Sequence, residues 1–258
     1  MPLTDLDDIA LFNRLIADAE QPFSGWDFAY ISKTDRLVEA PLAWSYASRL
    51  LRHLRQAASM LDMGTGGREF LTKLQPFPAY TVATEGYPPN VSIARERLEP
   101  LGVAVHEVAE DLQLPFADDS IDLVINRHES YSPDDVLRVL KSGGRFITQQ
   151  VGGQNDIELN RLLGAPANDE YAHWNLDFAA RELEAAGFQL IEQHEDFPPA
   201  RFFDIGAVVY FLKAVPWQIP DFSVERHHDA LFALHRVMQQ CGYVDIPIHR
   251  FLIVTLKA

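Results

Sequence analysis

The stretch LDMGTGG, residues 61–67, decides the fold, because an apolar run ends there on an acid and a glycine-rich turn leads on toward a helix. Asp62 closes the run two residues before Gly64, and Gly66 and Gly67 complete the turn. Glycines suit such a turn because the backbone must reverse sharply and come close to a ligand, which a Cβ would prevent. A tight strand-to-helix turn with no ligand would read the same way, so the neighbouring residues have to discriminate. A dinucleotide fingerprint needs glycine at the sixth place, where this chain has Glu69. A carboxylate ahead of the turn also suits a cationic ammonium and would sit awkwardly beside a pyrophosphate.

Outward from the turn, the texture is strand, turn and helix repeated. AASMLDMG is followed by a helix expected over 68–74, the strand AYTVATEG, a helix over about 88–98, the strand VAVHEVAE and the strand SIDLVIN. SPDDVLRVL reads as a helix capped by Ser132 with Pro133 in its first position, and SGGRFITQQV as a fifth strand. This alternation implies an α/β, doubly wound, mostly parallel sheet. Helices in NDIELNRLLG and LDFAARELEAAG, the strand FQLIEQHEDF, helices over about 204–215 and 223–240, and a last strand HRFLIVTLKA complete the reading. Residues 1–56 are expected to form a helical N-terminal cap and 57–258 the main domain, with a helical insertion over about 199–247 acting with the cap as a lid.

The second strand ends in TEGYPP, placing Glu85 about 20 residues after the turn, where an acid accepts hydrogen bonds from both hydroxyls of a ribose. An ordinary charged strand end is the bland alternative. The third strand ends in VAEDLQLPF, and Glu110 and Asp111 compete to receive an adenine amino group. S-adenosylmethionine carries the ammonium that Asp62 favours, and a nicotinamide dinucleotide does not.

In order, LDMGTGG, TEGYPPN, AEDLQLPFADDSIDLVINRHES and VLRVLKSGGRFITQQ resemble the successive motifs of the class I S-adenosylmethionine-dependent methyltransferases, in the branch of the methyltransferase 11 domain. The resemblance spans about residues 57–151 and implies a seven-stranded sheet of order 3-2-1-4-5-7-6 with the last strand antiparallel. It implies S-adenosyl-L-methionine held by Asp62, Gly64, Thr65 and Gly66 around its methionine moiety and by Glu85 and Gly86 at the ribose. Glu110, Asp111 and Leu112 would lie at the adenine, and Asn126 and Arg127 would close the site through their backbone. Arg68 stands where many members carry another glycine.

NRHESY follows the fourth strand, where members of the family face the transferable methyl. His128 is the candidate base, since an imidazole titrates near neutrality, and Glu129 would orient it or be the base itself; both would otherwise shape the rim. The prolines typical of nucleic-acid amine methylases are missing from NRHE. With a net charge of -15 and a pI near 4.9, this argues against nucleic acid as a partner and makes a small molecule the expected acceptor. A non-catalytic S-adenosylmethionine-binding regulator and an RNA methyltransferase are the alternatives.

Other polar residues invite weaker readings. Gln149 and Gln150 would point to opposite faces of a regular strand, so at most one faces a cleft, while Asn155 follows that strand. Arg201 reads as a surface ion pair or a carboxylate clamp. Arg49, Arg52, His53 and Arg55 read as a solvated helix face, and His227, His228 and His235 as scattered surface histidines without metal-ligand spacing. Trp174, Trp217 and the aromatics of the cap would wall a hydrophobic pocket or, as aromatics at such spacing more often do, form plain core. The single cysteine, Cys241, excludes an intrachain disulfide, and neither a basic leader nor a membrane-length apolar run is present, so a cytoplasmic chain is expected.

Overall fold

Five consecutive buried residues, Ser59–Met63, form the strand on which the sheet is built, and a side chain two strands' worth of sequence away fixes where it begins. Asp122 accepts hydrogen bonds from the backbone N–H groups of Ala58 and Ser59 at 3.0 and 2.8 Å and from the Ser59 hydroxyl at 2.8 Å, while Lys141 binds its other oxygen at 2.8 Å. The computed structural model describes residues 5–23, 27–66, 69–108, 113–167 and 169–258. The expected positions Gly67, Arg68, Glu110, Asp111 and Leu112 lie outside them.

In chain order the elements are α1 (Asp5–Asp18), α2 (Ala29–Ser32), β1 (Leu37–Glu39), α3 (Tyr46–Leu54), β2 (Ser59–Met63), α4 (Glu69–Thr72), β3 (Tyr80–Glu85) and α5 (Pro88–Leu98). A 3-10 turn over Glu99–Leu101 leads to β4 (Ala104–Glu107), β5 (Ile121–Arg127), α6 (Pro133–Val139), β6 (Leu140–Val151), α7 (Ile157–Leu162) and α8 (Leu176–Ala186). The chain ends with β7 (Phe188–Asp196), β8 (Pro199–Phe202), α9 (Ile205–Ala214), α10 (His228–Cys241), β9 (Val244–Pro247) and β10 (Arg250–Lys257).

These elements pack as two compact units. One comprises residues 43–152, 174–195 and 250–258, and the other residues 1–42, 153–173 and 196–249.

The first unit holds a seven-stranded sheet of order β4-β3-β2-β5-β6-β10-β7. β2 runs parallel to β3 and β5, β3 to β4, and β5 to β6, whereas β10 runs antiparallel to β6. Counted along the sheet's own strands this is the order 3-2-1-4-5-7-6, with an antiparallel last strand. β2 is buried throughout because both of its faces are covered, as central parallel strands require. Leu61, Val124, Phe146, Phe251 and Ile253 pack on one face against Val136 and Val139 of α6 and Ala179 and Leu183 of α8. α6 begins as its sequence dictates, with Ser132 accepting the N–H of Asp135 and Pro133 in the first turn. α8 starts at Asn175, which caps Phe178 N–H, and ends at Gly187 with φ 106°.

The second unit carries a three-stranded antiparallel sheet, β1-β8-β9, beside its helices. The N-terminal segment and the 199–247 segment, expected to be helical, also supply strands, which at three and four residues are too short to show alternation. Its core is built around α9, where Ile205, Val208, Val209 and Leu212 are buried, with Phe12, Ile31, Phe202, Leu231 and Ile246 packed into the same cluster. Asp204 caps α9 through Ala207 N–H at 2.9 Å and also receives Arg36 in a bidentate pair at 2.7 Å.

Several local expectations change. α4 covers only Glu69–Thr72 and α10 starts at His228, not at Ser223. His53 is buried rather than on a solvated face, and Arg49 pairs with Glu192 at 2.5 Å. His235 is fully buried, 3.1 Å from Asp8. Arg201 is ion-paired with Asp245 at 2.8 Å through two nitrogens and lies over the Tyr243 ring at 3.6 Å, as the ion-pair reading expects. Among the described residues no helix is long and apolar enough to cross a membrane, and no group of acids, histidines or cysteines could hold a metal ion.

Candidate active site

Residues at the carboxyl ends of β2, β3 and β5 converge because parallel strands carry their C-terminal turns to one edge of the sheet. Asp62 is opposite Ala83 on β3 and Ile125 on β5, buried with 7% of its surface exposed. Burial raises its carboxyl to about 7, the nearby charge of Glu85 adds to this, and the Thr65 hydroxyl and Arg127 guanidinium pull the other way.

After Asp62 the chain turns through Gly64 and Gly66, both at φ 61°, and Thr65 N–H donates to the Thr84 carbonyl at 2.9 Å. At Gly64 the space is closed as well: a Cβ would collide with the Glu129 side chain, which lies against the turn.

Glu85 ends β3 with 3% of its surface exposed. Its Oε1 accepts the N–H of Tyr87 at 2.9 Å, whereas Oε2 is buried without a hydrogen-bond partner among the described residues. A buried carboxylate oxygen left unsatisfied is costly unless a ligand supplies the donor. Gly86 follows, where a Cβ would stand 3.1 Å from the Val108 carbonyl.

β5 delivers the remaining candidates. The Asn126 side chain is turned to the far face, where its Oδ1 accepts from Thr148 at 3.0 Å and from Gln150 at 2.6 Å, so it is part of a buried network within the sheet. Its carbonyl accepts the Tyr46 hydroxyl at 2.9 Å. Arg127 lies over the Phe70 ring at 4.9 Å. His128 then takes φ 63°, uncommon for a residue with a side chain, and its N–H donates to the Gln149 carbonyl at 2.9 Å. Its ring Nε2 lies 3.3 Å from the Gln149 side-chain nitrogen. Desolvation holds the imidazole well below its ordinary range, and the Arg250 and Arg127 guanidiniums lower it further.

Gln149 and Gln150 do point to opposite faces, Gln149 toward Trp44 at 3.0 Å and Gln150 toward Asn126. Asn155 falls in the other unit, where its Oδ1 accepts the N–H of His249 at 3.0 Å. Trp44 and Tyr46 escaped the sequence reading. Their only signal was an aromatic pair flanking Ser45, the residue that caps α3 by accepting Ser48 N–H.

An acid-led glycine turn, a buried acid with an unsatisfied oxygen on the next strand, and a seven-stranded sheet of this order all coincide with one family. Residues 61–148 match the model of the methyltransferase domain. That segment of the chain carries a methyltransferase domain. Solved structures share the fold of this methyltransferase at low identity. A putative methyltransferase from Bacillus halodurans is 21% identical, with 81% of this chain and 99% of that one covered and a TM-score of 0.55. A functionally unknown protein from Deinococcus radiodurans is 12% identical over 98% of this chain and 100% of that one, with a TM-score of 0.60. Geranyl diphosphate methyltransferase in complex with SAM is 15% identical, with 94% of each chain covered and a TM-score of 0.50. No curated protein matches the sequence.

Proposed function

We propose that this methyltransferase uses S-adenosyl-L-methionine as its methyl donor and transfers the methyl group to a small molecule. The observation that carries the reading is Glu85 Oε2, a buried acceptor with no partner among the described residues, placed one strand over from the acid-led turn. A pair of vicinal ribose hydroxyls supplies the donors that this oxygen lacks. Asp62, Glu85 and the Glu129 carboxylate against Gly64 set a negative field around the turn, which suits a ligand that is cationic at both its ammonium and its sulfonium. Gly64, Thr65 and Gly66 would lie along the methionine moiety, with Gly86 beside the ribose and the Asn126–Arg127 backbone beyond it; the neighbour solved with SAM supports the same donor. When bound, S-adenosylmethionine supplies a methyl group on a sulfonium leaving group. The protein then has to align the acceptor in line with that bond and exclude competing water. The chain's net charge of -15 argues against a nucleic-acid acceptor.

Incubating the protein with a cell extract and methyl-labelled S-adenosylmethionine tests the proposal. Label is expected in a small-molecule fraction together with stoichiometric S-adenosylhomocysteine, and both are expected to vanish in Asp62→Ala. Cofactor that binds but never turns over across such extracts would favour the regulatory alternative. Glu85→Gln is expected to weaken binding of either nucleoside by about ten- to a hundredfold in calorimetry, the worth of a hydrogen bond to a charged group at about 1.5–3 kcal/mol.

A further inference from the structure

The ring of His128 has only one arrangement of protons that its neighbours allow. An indole N–H donates and cannot accept, and Trp44 Nε1 lies 3.0 Å from Gln149 Oε1. That contact fixes which end of the Gln149 amide is oxygen, so its NH2 group faces His128 Nε2 at 3.3 Å. Two donors cannot face one another. Nε2 must therefore present its lone pair, and the single proton of the neutral ring sits on Nδ1.

The relay is held at each step. Trp44 stacks on His194 with ring centroids 5.6 Å apart and 24° between planes, and His194 Nε2 lies 2.6 Å from the Glu192 carboxylate, which also binds Arg49. Gln149 is 3% exposed, sits opposite Arg127 and Leu252 in the sheet, and grips the His128 backbone through its carbonyl. The positive φ of His128 aims the ring from the end of β5.

We propose that Trp44 and Gln149 are positioning residues that hold His128 as the neutral Nδ1–H tautomer, so that it offers the methyl acceptor a hydrogen-bond donor and not a base. This rests on reading the site as one for methyl transfer. The acceptor it fits carries an oxygen that receives the Nδ1–H and a nucleophile with a lone pair already available at neutral pH. The acceptor's lone pair forms the new bond to the methyl carbon while the carbon–sulfur bond breaks with its electron pair retained on sulfur. His128 takes up no proton in that step. This revises the expectation of His128 as general base, because the nitrogen that would receive a proton is already occupied by the Gln149 amide.

The test is a long-range proton–nitrogen correlation spectrum of the full chain labelled with nitrogen-15 in histidine, with His128 assigned by its loss in His128→Asn. The expected pattern is a protonated Nδ1 and an unprotonated Nε2, unchanged from pH 6 to pH 8. Gln149→Glu replaces the amide donor by a carboxylate that accepts from Trp44 and from the ring, and is expected to move the proton to Nε2 and exchange the two signals. Trp44→Phe frees the amide to rotate and is expected to give a mixture of tautomers, which covers the case in which the glutamate variant does not fold. An unprotonated Nδ1 in the wild type, titration between pH 6 and pH 8, or a folded Gln149→Glu with unchanged signals would overturn the assignment. S-adenosylhomocysteine binding measured on the same samples reports separately: loss of binding with the Nδ1–H pattern intact removes the methyl-transfer reading and leaves the tautomer standing.

Discussion

Asp62→Asn will give a protein that is more stable than the wild type above neutrality and binds S-adenosylmethionine far more weakly. The carboxyl of Asp62 is raised to about 7 in the folded chain, chiefly by burial, above its ordinary value of 3.8. A carboxyl raised in the folded state binds its proton more tightly there than when unfolded, so its stabilisation is complete below about pH 4 and is lost as the pH rises toward about 7. Asparagine has no such loss. The two proteins should therefore match near pH 4 and diverge above it, with the variant ahead by on the order of 4 kcal/mol at pH 8. Denaturant melts at several pH values read this directly.

The cofactor's ammonium reverses the balance by favouring the ionised carboxylate. Between pH 6 and pH 7, below the point at which that ammonium itself loses its proton at about 8, ionisation of Asp62 should tighten wild-type binding about fivefold. In Asp62→Asn the pH dependence should disappear and affinity should fall at least about thirtyfold, since one partner of a buried charge pair is worth roughly 2–5 kcal/mol. A variant with unchanged affinity, or a wild type whose affinity is flat over that range, would separate Asp62 from the ligand. Stability sacrificed at a binding residue is the pattern expected of a site, and a purely structural acid would show the opposite sign.

Gly64→Ala should be the most damaging single methyl in the turn. Gly64 and Gly66 share φ 61°, so both replacements incur the cost of a side chain in the left-handed region, about 1 kcal/mol. At Gly64 the new Cβ would strike Glu129, whereas at Gly66 nothing among the described residues lies within 4 Å. Gly64→Ala should thus destabilise by about 2–3 kcal/mol, lowering Tm by roughly 5–10 °C, and Gly66→Ala by about half as much or less. Cofactor affinity should fall with the former, because displacing Glu129 moves a carboxylate from the turn. Adding Glu129→Gly to Gly64→Ala should restore most of the difference between the two glycine variants. Equal effects at the two positions would show that backbone conformation alone accounts for the glycines.

How much of this was legible in advance follows from the range over which each signal acts. The core strands were readable because burial on both faces writes a local apolar run, as in Ser59–Met63, and because glycine turns and caps such as Ser132 act within a few residues. The opposite orientations of Gln149 and Gln150 followed from strand geometry alone. What stayed hidden depends on partners far apart in the chain. Trp44 and Gln149 are 105 residues apart, and nothing in either segment announces the other. The same holds for His235 of α10, which is fully buried 3.1 Å from Asp8 of α1, an element at the other end of the chain. The strands β1 and β9 carry too few residues for a period of two to be visible, and only pairing with β8 defines them. At His128 the residue type suggested a base because an unperturbed imidazole suits one, and the amide and indole on which the proposed tautomer rests come from segments that a local reading does not connect to it.

In the proposed function the acid-led turn and Glu85 together form a site for S-adenosylmethionine. Isothermal titration of the purified chain with S-adenosylmethionine and, separately, with S-adenosylhomocysteine tests it most directly. One-to-one binding of both in the micromolar range is expected, weakened by Asp62→Asn and by Glu85→Gln. Absence of binding heat with both ligands at several temperatures, from a protein that melts cooperatively, would contradict it.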